Sequence, residues 1–159
     1  MRKQCLSLLV LLFAVSCGEG ARHSSNGDDV QTPSCDDSVQ YTYWDNGKLK
    51  SELRYADGQL NGECRWYYEN GQLFKDGQYA DGMMDGSWLV FYPDGSLAAR
   101  AQYDKGKGKQ TGYNEEGCVI FEVTYLDNVK HGTETRYAPD GRVLKVIEYD
   151  HGKKVEPQE

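Results

Sequence analysis

Tyr67-Tyr68-Glu69-Asn70-Gly71-Gln72-Leu73, with Tyr79-Ala80-Asp81-Gly82 following close behind, is one copy of a frame that recurs along the chain. Its turn pair stands at Asn46-Gly47, Asn70-Gly71, Asp94-Gly95, Glu116-Gly117 and Asp140-Gly141, at spacings of 24, 24, 22 and 24 residues. Eight residues after each of these glycines comes a tyrosine: Tyr55, Tyr79, Tyr103, Tyr125 and Tyr149. Four residues before each comes an aromatic: Tyr43, Tyr67, Phe91, Tyr113 and Tyr137. Five units in one register exclude chance and predict a repeat architecture.

Each unit reads as a β-hairpin. Asn-Gly and Asp-Gly favour a type I′ turn, whose twist matches that of the flanking strands. The strand after the turn alternates: Leu49, Ser51, Leu53 and Tyr55 face one way, Lys48, Lys50, Glu52 and Arg54 the other. Val119, Phe121, Val123 and Tyr125 repeat this, and so do Val143, Lys145, Ile147 and Tyr149. Period two with one apolar face marks a half-buried antiparallel strand. A second pair marks the other turn: Gly58 and Gly62, Gly82 and Gly86, Gly106 and Gly108, Asn128 and Gly132. The two residues missing from the 22-residue unit fall between Tyr103 and Gly108, inside this turn. The shorter partner strand is expected to start at the second glycine, as in Gly62 to Tyr68.

Stacked units align like positions in columns. One column is Leu49, Leu73, Leu97, Val119 and Val143; another is the five tyrosines. Cross-strand aromatic neighbours contribute about 0.2–1 kcal/mol each. One hairpin is marginal in water, but several in register stabilise one another as a nearest-neighbour sum. The expected fold is all-β: a single-layer antiparallel meander of about five hairpins over residues 39–155. The repeats lie near residues 41–62, 63–86, 87–108, 109–132 and 133–155.

The start of the chain is different. Met1-Arg2-Lys3 is basic, and Leu6 to Val15 is apolar but only about half the length of a spanning helix. Residues 1–16 therefore read as a secretory signal peptide. The end of this stretch, Ala14-Val15-Ser16-Cys17, resembles the lipobox of bacterial lipoproteins. That resemblance implies a lipid on Cys17, and Gly18 after it resembles an outer-membrane sorting signal. Residues 17–38 are polar and read as a flexible tether with a reach of roughly 25 Å. The expected location is the cell envelope, with a membrane as partner through the N-terminal lipid.

Among 159 residues, 18 glycines and 12 tyrosines suit short strands and tight turns. A formal charge of −7 argues against nucleic acid as a partner.

Tyr68-Glu69-Asn70-Gly71-Gln72-Leu73, Tyr79-Ala80-Asp81-Gly82 and Asp85-Gly86-Ser87-Trp88 together resemble the MORN-repeat variant found in the bacterial YwqK-type antitoxin-like family. The resemblance covers roughly residues 41–153. It implies an elongated, twisted single-layer meander with no catalytic residues, acting as a scaffold or interaction surface. The third unit departs from the pattern, with its shortened turn and with Gly112 where other units have Trp66 or Val90. A signal peptide and lipobox conflict with the antitoxin label, so toxin neutralisation in the cytoplasm is not expected.

Candidate chemistry is sparse. His23, His131 and His151 show no metal-ligand spacing in sequence, and no metal or cofactor is expected. Asp57, Asp81 and Asp127 recur at one set of turns and Asp45, Asp94 and Asp140 at the other, where aspartate is a favoured turn residue. Cys64 and Cys118 are more than two repeats apart, about 20 Å by strand spacing, too far for a disulfide. Cys35 with Cys64 stays open. Trp44, Trp66, Trp88 and Tyr92 are expected on the face opposite the tyrosines or near its edge, either as cover for that second face of the sheet or as binding-face aromatics. No nucleophile elbow, phosphate loop or catalytic Cys/His pair is present, so the chain does not read as an enzyme. The leading expectation is a non-catalytic envelope module that docks a protein partner. The alternative is a cell-wall or polysaccharide binder, since Trp66-Tyr67-Tyr68-Glu69-Asn70-Gly71 also resembles choline-binding repeats.

Overall fold

The structure is a computed structural model and describes residues 37–156. The expected signal peptide and nearly all of the expected tether, with Cys17, His23 and Cys35, lie outside the described residues. Five hairpins follow one another. They are β1 (Ser38–Tyr43) with β2 (Leu49–Ala56), β3 (Gln59–Tyr67) with β4 (Leu73–Ala80), and β5 (Met83–Phe91) with β6 (Leu97–Asp104). Then come β7 (Lys107–Tyr113) with β8 (Val119–Leu126), β9 (Val129–Tyr137) with β10 (Val143–Asp150), and the short β11 (Lys153–Lys154). Each strand pairs antiparallel with its predecessor and successor, so the sheet runs in sequence order from β1 to β11. The described residues contain no helix, hence none long and apolar enough to cross a membrane.

The two kinds of turn are the reverse of the expectation. At the Asn-Gly and Asp-Gly turns only the glycine has positive φ, from 80° at Gly47 to 93° at Gly71. Gly47 N donates to Trp44 O at 2.9 Å, and Trp44 N donates to Lys48 O at 2.8 Å. The same pair of bonds recurs in all five units. This is a type I turn closed by a glycine bulge, and the strand register shifts there, as between Thr42 and Tyr43. The turn side chain selects it. Asn46 Oδ1 accepts from Lys48 N at 3.0 Å, and Asn70, Asp94 and Asp140 do the same two residues on. Glu116 is a residue too long for this bond, and Asn114 takes the role by accepting from Glu116 N and Cys118 N.

The type I′ turns lie at the other end of the strands. Asp57-Gly58, Asp81-Gly82, Lys105-Gly106, Asp127-Asn128 and His151-Gly152 have positive φ at both residues. Each returning strand begins directly after its turn, so β3 starts at Gln59 rather than at Gly62.

The third unit owes its length to a missing bulge. In β2–β3, Tyr55 pairs with Leu60 and Leu53 with Cys64, so three residues face Arg54 alone. β4–β5 and β8–β9 carry the same insertion. In β6–β7 the pairing is one for one from Ala99↔Gly112 to Asp104↔Lys107. The two absent residues are therefore the bulge, and the turn is intact. Losing two residues keeps every side chain on its face, whereas losing one would turn them all over.

The turn tips hydrogen-bond along the sheet. Gly82 N donates to Leu60 O, Gly106 N to Met84 O, Asn128 N to Gly106 O and Gly152 N to Lys130 O. Asn128 also reaches past the shortened hairpin to the turn beyond it. Its Nδ2 donates to Gly82 O at 2.9 Å and its Oδ1 accepts from Met84 N at 2.8 Å. The asparagine in place of glycine and the two-residue deletion thus belong to one adjustment. The expected apolar column is only partly covered: Leu49, Leu73 and Leu97 are half-buried, while Val119 and Val143 are 37% and 51% exposed. Substituting Asn128→Gly keeps the left-handed backbone but removes both side-chain bonds. It is expected to lower the urea-unfolding free energy by about 1–3 kcal/mol. An unchanged midpoint would show that the side chain does not join the turns.

Candidate functional site

The tyrosine face gathers its contacts around one indole. Met84 lies opposite Tyr79, and Trp88, four residues on in the same strand, shares that side. Gly77 makes room: a Cβ built there would collide with the Trp88 ring at Cδ2. The Trp88 ring meets Tyr79 edge-on at 5.0 Å and Tyr103 at 6.3 Å, and lies 6.1 Å from Trp66. Tyr103 in turn meets Tyr125 at 5.5 Å. Trp88 Nε1 donates to Asp85 O at 3.1 Å, which satisfies the indole's polar end. Met84, Trp88 and Tyr103 are the buried centre of this cluster. Burial pushes the phenols of Tyr79, Tyr103 and Tyr125 above their ordinary range, so they stay neutral hydrogen-bonding groups.

Lys75 is the cation packed among the rings of this face, and Arg100 also lines the hollow beside it. Lys75 Nζ stands 4.6 Å from the Trp88 ring centre and 5.0 Å from that of Trp66. Burial pushes its ammonium pKa down, and the rings supply cation–π attraction in return. Beside it the face opens into a hollow of about 300 Å³, whose lining includes Lys75, Tyr79, Trp88, Tyr103, Gln110 and Tyr125. Tyr125 Oη donates to Gln110 Oε1 at 3.0 Å. No aspartate or glutamate lines the hollow. The lining can therefore receive an apolar or aromatic group and, at Lys75, an anionic one. The other face carries exposed ion pairs such as Arg65 with Glu63 and Asp76, and Lys109 with Glu122. Such pairs are worth little individually.

The aromatics singled out in sequence divide by role. Trp88, expected to be exposed, is 2% exposed and packs with the tyrosines. Its face is set by strand pairing, which residue type alone does not reveal. Trp44 Nε1 donates to Tyr67 O at 3.0 Å and Tyr92 Oη to Tyr113 O at 2.7 Å, and Tyr68 makes the equivalent bond to Phe91 O. These side chains staple each unit to the next. Trp66 is half-buried beside Lys75. Tyr55 and Tyr149 are half-buried near the ends of the tyrosine column, with Lys130 Nζ 5.0 Å from the Tyr149 ring centre. Gly47, Gly71, Gly95, Gly117 and Gly141 are the bulge glycines of the turns. Lys75 and Gly77 went unnoticed in sequence, although a glycine inside a strand signals close approach of a neighbour.

A buried carboxylate lies further along. Glu134 is 2% exposed, with Lys130 Nζ at 2.6 Å and Arg136 Nε at 2.7 Å. Burial alone would raise its pKa, but the hydrogen bonds from Lys130 and Arg136 outweigh it and hold the carboxyl below its ordinary value. Cys64 is a buried free thiol whose pKa burial pushes up, and Cys118 is a half-buried free thiol. The turn aspartates do not converge. Among the described residues, the one group of three candidate metal-binding side chains is His131, Asp150 and His151, brought together by the last hairpin.

Three stretches of the chain, residues 37–57, 60–81 and 84–105, match the family model described as the MORN repeat variant. Each begins in or at the head of a strand leading to a glycine-bulge turn and ends at or just before a type I′ glycine. β7–β10 continue the same alternation of turns beyond the matched stretches. No curated protein matches the chain. Among solved structures, it is similar to a chain in "Crystal structure of GtfA/B complex bound to UDP and GlcNAc". The two are 14% identical with a TM-score of 0.27, over 86% of this chain and 29% of that one. The present chain thus spans under a third of that chain's length, and the superposition is too loose to inform function.

Two outcomes follow from this geometry. Gly77→Ala should displace the Trp88 indole and cost about 1–3 kcal/mol through overpacking. Near-ultraviolet circular dichroism would report it, and a native aromatic signal would refute the packing described. Glu134 stabilises the fold fully above the ordinary carboxylate pKa of 4.5, and this contribution is lost as pH falls through its lower folded value. Because both cations are partly exposed, the term is on the order of 1 kcal/mol. Glu134→Gln should remove that portion of the acid-induced fall in melting temperature.

Proposed function

We propose that this chain is a non-catalytic interaction module of the bacterial cell envelope, related to the YwqK-type proteins and anchored by lipid on Cys17. It docks a protein partner on the aromatic face of its repeat ladder. The MORN repeat variant match supports the interaction role. The observation that carries the choice of face is the hollow beside Lys75: aromatic walls, the half-buried Lys75 ammonium with Arg100 in the same lining, and no carboxylate, in a chain of formal charge −7. The group it suits is a loop or extended segment that offers an aromatic or aliphatic side chain next to a carboxylate. The exposed surface around Trp66 extends the same contact.

A polysaccharide ligand is the rival. It loses support because Trp88 is buried and because the polar ends of Trp44 and Tyr92 are already bonded to backbone.

The test is a pulldown from detergent-solubilised envelopes, using the native chain and Lys75→Met, which keeps the bulk of the side chain without its charge. One stoichiometric protein should be recovered by the native chain and bound at least about tenfold more weakly by the variant, or about 1.4 kcal/mol. Equal recovery by both would reject this face. Retention on purified wall polysaccharide with no protein recovered would favour the rival. The anchor is tested apart from the face: Cys17→Ser should release the protein from membranes, and unchanged attachment would reject lipidation.

A further inference from the structure

The last hairpin assembles two imidazoles and a carboxylate from positions that sequence spacing keeps apart. Gly132 pairs with Tyr149, so His131 on β9 lies beside the end of β10, where Asp150 leads into the type I′ turn at His151. His151 Nδ1 lies 2.7 Å from Asp150 Oδ1, and His131 Nδ1 lies 3.5 Å from the same oxygen. The imidazole ring centres are 4.8 Å apart. One ligand atom from each residue lies within 4.8 Å of the others.

We propose that His131, Asp150 and His151 bind a divalent transition ion of borderline softness, with Zn²⁺ as the representative. Two histidines and one carboxylate form a zinc-type donor set, with water at the fourth position. The set is too nitrogen-rich and too small for calcium. Ligands around one zinc ion stand roughly 3–3.5 Å apart, given bonds of about 2.0–2.2 Å. The present group needs only small side-chain rotations to reach that. All three side chains are exposed enough to make them: 38% for His131, 61% for His151 and 68% for Asp150. The ion takes the place between Nδ1 and Oδ1 that the His151–Asp150 hydrogen bond now fills, and a neutral imidazole then carries its proton on the other ring nitrogen.

The fold itself does not call for these imidazoles. His131 Nδ1 accepts from His151 N at 3.4 Å, which caps the following turn. In the second unit Asp85 Oδ1 does the same for Lys105 N at 3.1 Å, also 20 residues away. An aspartate and a lysine thus satisfy the same geometry. Only the last hairpin carries imidazoles at both places.

The chain's own repeats supply the test variants. His131→Asn copies Asn61 and His151→Lys copies Lys105, so the double variant keeps residues that these positions accommodate elsewhere. The full chain, stripped with chelator and with accessible thiols alkylated, is titrated with Zn²⁺ by calorimetry. The native chain should bind one equivalent and gain melting temperature, as binding to the native state requires. The double variant should bind more than about tenfold more weakly and gain nothing. Equal binding by both chains, or none by the native chain, would overturn the site. Circular dichroism checks that the variant keeps its fold. Should it not, the native imidazole proton resonances decide: Zn²⁺ should shift those of His131 and His151 and leave His23 in place, and any other pattern rejects the site.

Discussion

A sheet one layer thick has no second layer to bury it, so its apolar contacts must form along its own face. Here the Trp88 indole carries much of that burden. It lies across Gly77 and between Tyr79 and Tyr103, and large side chains alternate with small ones around it. A buried aromatic removes about 150–250 Å² from water, worth on the order of 4–6 kcal/mol at about 25 cal/mol per Å². Gly112 beneath the Phe121 ring repeats the arrangement three strands further on. The best-covered aromatics therefore sit around β4–β6, whereas Val143, Leu144 and Val146 near the far edge are more than half exposed.

Side chains along a face would not by themselves fix the pitch of a repeat. Hydrogen bonds at both turn edges do so. On one edge Trp44, Tyr68 and Tyr92 donate to the backbone of the following unit, and on the other each type I′ turn donates to its predecessor. The short third unit tests this arrangement, because without the bulge its turn sits differently from the others along the sheet. Asn128 spans the difference with two bonds to the turn beyond. The aromatic staple ends at the same region, where Asn114 and Ala138 replace Trp44, Tyr68 and Tyr92.

Repeat period, strand alternation and the antiparallel meander were legible because glycine, asparagine and aromatic residues recur at fixed offsets. Turn type was not. Asn-Gly and Asp-Gly dipeptides occur at both edges, and what separates the edges is whether the acidic or amide side chain bonds its own backbone two residues on. The bulge was also hidden, since Gly62, Gly86 and Gly132 read equally well as turn residues until pairing shows three residues facing one. The placement of Trp88 needed that same pairing. Nothing local in Trp-Leu-Val reveals which side Met84 and Tyr79 share.

Both places with chemistry to offer arise where one unit departs from the others. Position for position, Lys75 replaces Ser51, Gly77 replaces Leu53 and Trp88 replaces Cys64, which opens the hollow and leaves a cation among rings. In the last hairpin, imidazoles replace the amide, carboxylate or ammonium groups found at the equivalent turns. A repeat makes such departures inexpensive, because the backbone bonds that hold a unit do not depend on the side chains at its face. Stability is then shared among neighbours, and recognition can be confined to one unit without disturbing the ladder that presents it.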